Sequence, residues 1–215
     1  MKVAVVGATS FVGNAVLNEL LQRGHQVTAV VRNPGKLADR KGLTVVEGDI
    51  NESEDFGNKV AGNDAVISAF NAGWTNPNLY ADFLKGSGAI QAGVKNAGIK
   101  RLLVVGGAGS LYIGDQQLVD SPQFPAEWRA GAVAARDYLN ILKKETELDW
   151  VFISPAVEMH PGTSGTRKGV YRVGGDNPVF DMDGRSVISV EDLAVAIVDE
   201  LEDQKHSRHR FTVAY

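Results

Sequence analysis

The chain has 215 residues, 44% of them hydrophobic and 22% charged, a length that one core can fill by burying roughly 70% of the extended surface. It contains no Cys, which excludes zinc-thiolate sites, iron–sulfur clusters, redox dithiols and thiol nucleophiles. Lys and Arg number 22 against 26 Asp and Glu, a net charge of -4, so nothing in the balance draws the chain to nucleic acid or to an anionic membrane.

Short β-branched runs alternate with segments of helical period. In chain order the strands are expected at Val3–Val6, Val27–Val31, Leu43–Val46, Ala65–Ile67, Leu102–Val105 and Val151–Ile153, with helices over 11–23, 53–61, 78–97, 126–146 and 191–203. The first helix is the clearest, because Phe11, Val12, Ala15, Val16, Leu20 and Leu21 share a face and Gly24 stands where a helix ends. Residues 154–186 are rich in Pro and Gly and read as a loop region over the strand ends, with short strands near Val170–Val173 and Ser186–Ile188. Ser189 then reads as an N-cap, and Phe211–Val213 as a last, edge strand. The order predicts one α/β domain over 1–215: a Rossmann-type, doubly wound, mainly parallel sheet with helices on both faces. No apolar run approaches the roughly 18 residues that span a bilayer, and the strand pattern begins at Lys2 where a signal sequence would stand, so the cytoplasm is the expected location.

The first strand runs into Gly7-Ala8-Thr9-Ser10-Phe11-Val12-Gly13 and then the helix, the context in which backbone amides receive a pyrophosphate. Gly7 suits the tight turn and Gly13 the close helix contact, while Thr9 and Ser10 offer hydroxyls to phosphate oxygens. At the end of the second strand there is no acid for a ribose 2′-hydroxyl. Arg32 stands there instead, with Lys36 near; it either offers its guanidinium to a 2′-phosphate, so that NADP(H) is expected ahead of NAD(H), or is a solvated residue opening the Asn33-Pro34-Gly35 turn. In Gly48-Asp49-Ile50, Asp49 either meets the adenine amino group or serves as a turn or cap residue.

These residues resemble the atypical short-chain dehydrogenase/reductases, more narrowly the NAD(P)H-binding proteins described as NADH-flavin reductases, related to biliverdin-IXβ reductase and the NmrA-like regulators. The resemblance rests on the segments 5–13, 31–34, 48–50, 104–111, 149–156 and 188–194, and departs from the family at Ser10, where glycine is usual. It implies that Ser68, Ala69 and Phe70 run along the cofactor ribose and that Ser154, Pro155 and Ala156 lie by the nicotinamide. Typical members reduce carbonyls with a Tyr whose pKa is lowered by a Lys four residues on. Here Leu84, Gln116, Leu142 and Gly175 follow Tyr80, Tyr112, Tyr138 and Tyr171 at that spacing, so ordinary ketone reduction is disfavoured.

A flavin or quinone makes a smaller demand, because charge spreads over a conjugated ring that takes its proton from water. The expected activity is hydride transfer to such a planar acceptor, FMN or FAD among them. Ser110 either donates to an acceptor oxygen or caps a turn, and Tyr112 either stacks on or hydrogen-bonds to the ring, or covers core. Trp74, Trp128 and Phe124 form an aromatic wall or pack inside the protein. His160 reads first as a surface-loop residue; with Glu158 it is the nearby ionisable group for an epimerase-like or dehydratase-like alternative, and an NADP-sensing regulator is the non-enzymatic one. His206 and His209 read as solvated cations at a helix end, so no metal site is expected, and a monomer or homodimer is the expected assembly.

Overall fold

A computed structural model describes residues 1–215. In chain order the elements are β1 (Lys2–Val6), α1 (Phe11–Gln22), β2 (Gln26–Val31), β3 (Leu43–Glu47), α2 (Ser53–Val60), β4 (Ala65–Ser68), α3 (Leu79–Asn96), β5 (Arg101–Val105), β6 (Tyr112–Ile113), β7 (Gln116–Gln117), α4 (Ala126–Leu142), β8 (Asp149–Ser154), β9 (Arg172–Gly174), α5 (Val190–Asp203) and β10 (His209–Ala214). Eight strands form one sheet in the order β3-β2-β1-β4-β5-β8-β10-β9, and β6 pairs only with β7. All pairs in the large sheet are parallel except β10 with β9.

Alternate strand residues feed two cores, which is why the strands read as unbroken apolar runs. Val3, Val5, Ile67, Leu103 and Ile153 pack with Val16, Leu17 and Leu20 of α1 and Leu193, Ile197 and Leu201 of α5. Ala4, Val6, Leu102, Val104 and Phe152 pack with Phe56 of α2, Phe83 and Ile90 of α3, and Tyr138 and Leu142 of α4. Helices therefore cover both faces, as a right-handed βαβ winding requires. None is long and apolar enough to cross a membrane.

The helix boundaries follow local chemistry. Ser10 caps α1 by accepting the Gly13 N–H at 3.1 Å, and Gly24 closes it at φ +81° with the bonds Gly24 N–H to Leu21 C=O and His25 N–H to Leu20 C=O. Ser189 caps α5 through the Asp192 N–H at 3.1 Å. Helix α4 stops at Leu142, short of the expected 146, because the Glu145 carboxylate takes the N–H groups of Glu147 and Leu148 and turns the chain into β8.

Two expectations for the last third are corrected. The strand at Phe211–Val213 is interior: β10 lies between β8 and β9, and the three-residue β9 takes the edge. Ser186–Ile188 forms no strand, only a bridge from Val187 to Glu158. Both departures depend on long-range pairing, which a local pattern does not encode.

Candidate functional site

In a parallel sheet the carboxyl ends of the strands form one edge, and here the register brings Val6, Val30 and Ser68 level. The turns after β1, β2 and β4 thus open side by side, the usual position for a ligand in such folds. After β1, Gly7 adopts φ +79°, and its carbonyl accepts the Ser10 N–H at 2.8 Å. A Cβ on Gly13 would lie 2.0 Å from the Gly7 carbonyl oxygen, so only glycine lets α1 start this close to the turn. The Ser10 hydroxyl is already engaged as the helix cap and reaches the Ala69 carbonyl at 3.5 Å. Thr9 is exposed beside it. The N–H groups of Phe11 and Val12 have no carbonyl four residues back within the helix and face the turn as free donors. A glycine cradle with free amides at a helix start fits a pyrophosphate.

Arg32, at the end of β2, is exposed. It enters none of the protein's ion pairs or side-chain hydrogen bonds, whereas Arg23, Arg101, Arg136, Arg167, Arg185 and Arg210 all do. The following Asn33 accepts the Gly35 N–H at 3.1 Å and fixes a short turn over Pro34–Lys36. Asp49 closes the turn after β3: its Oδ1 accepts the backbone and side-chain N–H groups of Asn51, each at 2.9 Å. Those bonds hold its carboxyl below the usual range, with a smaller effect from the charges of Arg32 and Lys85. The turn role for Asp49 is therefore the one the geometry displays.

Ile50 and Phe70 meet across a residue that the sequence reading passed over. A Cβ on Gly86 of α3 would sit 2.6 Å from the Phe70 ring and 3.1 Å from Ile50 Cδ1, so the bare helix face seats both side chains. Phe70 also stacks on Phe83 at 5.8 Å. The available signal was a glycine inside a helical pattern, which commonly marks close packing. Ser68 and Ala69 are buried at the end of β4, where the Ala69 N–H bonds the Val6 carbonyl at 3.0 Å.

The other half of the edge belongs to β5, β8 and β10. Gly106 follows β5, and a Cβ there would overlap the Phe152 ring at 2.0 Å. The chain then makes a short turn over Ala108–Ser110. Ser110 is only 1% exposed, and its hydroxyl reaches the Gly107 carbonyl at 3.5 Å. Tyr112 is half-buried. Pro155 is buried after β8, and the buried hydroxyls of Ser154 and Thr212, adjacent in register, have no partner.

Trp74 rests on α4 at Gly131, 2.7 Å from where a Cβ would be, and is 60% exposed; Trp128 is 53% exposed. Phe124 lies 5.6 Å under the Arg129 guanidinium, which also donates to the carbonyls of Val119, Ser121 and Phe124 and so shapes this loop.

The ionisable candidates are occupied elsewhere. His160 Nδ1 accepts the Gly162 N–H at 3.0 Å in an exposed cap. Glu158 pairs with Arg185 at 2.5 and 3.1 Å, which holds its carboxyl low. His206 stacks on Phe211 at 4.4 Å and pairs with the Glu200 carboxylate at 2.6 Å, packed rather than freely solvated.

Four tyrosine hydroxyls donate within the scaffold: Tyr80 to Asp137, Tyr138 to the Ser87 carbonyl, Tyr171 to Asp199 and Tyr215 to Asp192. Burial pushes the Tyr138 phenol well above its ordinary value. Only the Tyr112 hydroxyl donates to nothing in the protein.

Residues 7–204 match the sequence profile of a family described as NAD(P)H-binding. The chain belongs to this NAD(P)H-binding family. Its fold is shared over its whole length by three crystal structures. A protein from Bacteroides thetaiotaomicron proposed to be an epimerase is 46% identical, with a TM-score of 0.91 and 96% of that chain covered. One from Burkholderia pseudomallei proposed to be exported is 37% identical, with a TM-score of 0.88 and 100% of that chain covered. A third from Streptococcus pneumoniae, proposed to be an NADH-flavin reductase, is 36% identical, with a TM-score of 0.86 and 99% of that chain covered. Family membership makes this a nicotinamide-binding, oxidoreductase-like protein of the atypical short-chain dehydrogenase/reductase kind, on a Rossmann-like fold.

Proposed function

We propose that the protein is an NADPH-preferring reductase that delivers hydride to a flavin, a quinone or a similar planar acceptor. The carrying observation is the state of the tyrosines: four phenols are tied to the scaffold, and no Lys stands four residues beyond any of them. A carbonyl acceptor needs a proton donor poised at the forming alkoxide. A conjugated ring does not, and the protein's task is then to hold two rings in register and keep water from the reacting face. The bound nicotinamide supplies two electrons as hydride, and water supplies the proton, leaving oxidised cofactor and reduced acceptor.

In this reading Gly7, Thr9, Ser10, Phe11, Val12 and Gly13 bind the pyrophosphate, and Arg32 takes the 2′-phosphate. Asp49, Ile50 and Phe70 flank the adenosine. Ser68, Ala69 and Pro155 line the path to the nicotinamide, and Ser110 with Tyr112 faces the acceptor. The description given to the Streptococcus pneumoniae relative supports the acceptor class. The Bacteroides relative favours an epimerase as the second reading, but Glu158 and His160, the acid and base it would use here, are engaged in loop contacts.

The test is NADPH consumption with FMN, with a benzoquinone and with no acceptor, and with NADH in parallel. Acceptor-dependent turnover that is faster with NADPH is the expected result. Tight NADPH binding without turnover on either acceptor overturns the reductase and favours an NADP-sensing regulator. A cytoplasmic location and a monomeric or homodimeric state belong to the same proposal; fractionation of cells tests the first, because the Burkholderia relative points to export, and light scattering tests the second.

A further inference from the structure

The Ser110–Tyr112 segment is gripped from outside its own turn. The Tyr112 N–H donates to the Asp176 carbonyl at 2.9 Å, and the Tyr112 carbonyl accepts Asn177 Nδ2 at 2.9 Å. The Ser110 carbonyl accepts Gln117 Nε2 at 3.1 Å and Arg210 Nη2 at 3.4 Å. Arg210 in turn places its Nε 2.8 Å and its Nη2 2.5 Å from Asp176 Oδ1. Two loops that are distant in sequence, after β5 and after β9, are thus tied to each other and to a strand of the sheet.

The cost of the anchor is informative. The Arg210 side chain is 2% exposed, while its partner Asp176 is 67% exposed. Arg210 stands level with Phe152 in β8, where an apolar residue would serve the core without desolvating a charge. A lysine would not do the same work, because one ammonium lacks the planar fork that reaches a carboxylate and a carbonyl together. The one tyrosine with a free hydroxyl is the residue this arrangement grips on both its N–H and its C=O.

We propose that Arg210, Asp176 and Asn177 are positioning residues that set the Ser110–Tyr112 segment against the acceptor. This rests on the reductase reading for the word acceptor, and on the hydrogen bonds alone for the grip. It implies that acceptor binding and nucleotide binding are separable, since none of the three residues belongs to the turns after β1, β2 or β4.

Asn177→Ala and Asp176→Asn alter exposed positions, and Arg210→Lys keeps the charge while removing the fork. Each is compared with wild type by NADPH titration, by steady-state kinetics with FMN and benzoquinone, and by amide hydrogen exchange over residues 110–113. The expected result is an NADPH Kd within about twofold of wild type and an acceptor KM raised about fivefold or more. Exchange at the Tyr112 amide should be about tenfold faster. Unchanged acceptor kinetics in Asn177→Ala and Asp176→Asn overturn the proposal. So does a parallel loss of NADPH affinity and thermal midpoint, the mark of a merely structural role. If wild type turns over neither acceptor, the reductase reading fails by itself and exchange decides the grip: faster exchange sustains it, and unchanged exchange overturns it.

Discussion

A methyl group on Gly7 would place its carbon 2.4 Å from the Ala69 carbonyl oxygen. The strand-end turn after β1 therefore lies in contact with the backbone leaving β4, and the two walls of the proposed nucleotide cleft are set by one missing side chain. Gly7→Ala must also hold alanine at φ +79°, which costs about 1–2 kcal/mol before the clash is counted. We expect a lower thermal midpoint and NADPH binding weakened by about tenfold or more. Calorimetric titration checks this, and wild-type affinity in a folded Gly7→Ala protein would contradict it.

What the sequence made legible was whatever is local. The Ser189 cap, the Gly24 stop and the glycine turn each depend on contacts within a few residues, and each is found where the pattern put it; the Ser10 hydroxyl, expected to meet a phosphate oxygen, caps α1 instead. The fold class followed from the alternation of elements. The less legible features are made by pairing over long separations. The interior place of β10 depends on a three-residue partner at Arg172–Gly174, and the grip on Tyr112 joins residues 65 apart in the chain. Asp49 was ambiguous because a cap and a ligand use the same carboxylate; only the position of Asn51 shows that one oxygen is taken. Ser110 reads either as a donor to an acceptor oxygen or as a turn cap, and the turn over Ala108–Ser110 buries it with its hydroxyl toward the Gly107 carbonyl.

Arg32 and Lys36 are the cationic residues at the end of β2; neither side chain has an ion-pair partner in the protein, and Arg32 is the one whose charge helps lower the Asp49 carboxyl. A charge-assisted bond to a phosphate is worth about 1.5–3 kcal/mol. Arg32→Ala is therefore expected to weaken NADPH by about 10–100-fold and NADH by less than about threefold. Parallel titrations with the two nucleotides read the difference, and equal losses would remove the 2′-phosphate from Arg32.

Tyr112→Phe removes the one phenol hydroxyl that is free of the scaffold and leaves the ring and both main-chain bonds in place. On the reductase reading it should lower kcat/KM for the planar acceptor by about 3–30-fold with little change in stability. Ser110→Ala should lower turnover while the protein stays folded. A Tyr112→Phe enzyme with wild-type kinetics would reduce Tyr112 to a stacking surface, and unchanged turnover in Ser110→Ala would take Ser110 out of the site.

At the opposite edge of the sheet Arg101 and Glu200 pair at 2.6 Å with side chains 6% and 3% exposed. Arg101 also reaches Asp149 and the His206 carbonyl, and Glu200 binds His206 through both its backbone N–H and its ring. Removing Glu200 takes away the buried carboxylate of Arg101 and leaves it only the partly exposed Asp149; breaking a buried pair in this way costs up to about 3–5 kcal/mol. Glu200→Ala should lower stability by that order in chemical denaturation, with NADPH affinity of the folded fraction preserved because the proposed nucleotide cleft is at the far end of the strands. A loss under about 1 kcal/mol would show that the pair contributes little net stability.

Glu145 links α3 to the turn before β8. Burial by itself would raise its carboxyl, but the Glu147 N–H, the Gln91 amide and the Lys95 ammonium outweigh that effect and hold it at about 2 against an ordinary 4.5. The native state therefore binds this proton more weakly than the unfolded chain does. The stabilisation is complete above about pH 4.5 and is lost as the pH falls toward 2. Glu145→Gln, which keeps the shape but not the charge, should lie below wild type in thermal midpoint at neutral pH and converge with it as the medium is acidified through that window. Midpoints recorded by circular dichroism between about pH 2 and 7 measure the gap; a gap that stays constant across the range would mean that packing, and not the ionised carboxylate, makes the contribution of this residue.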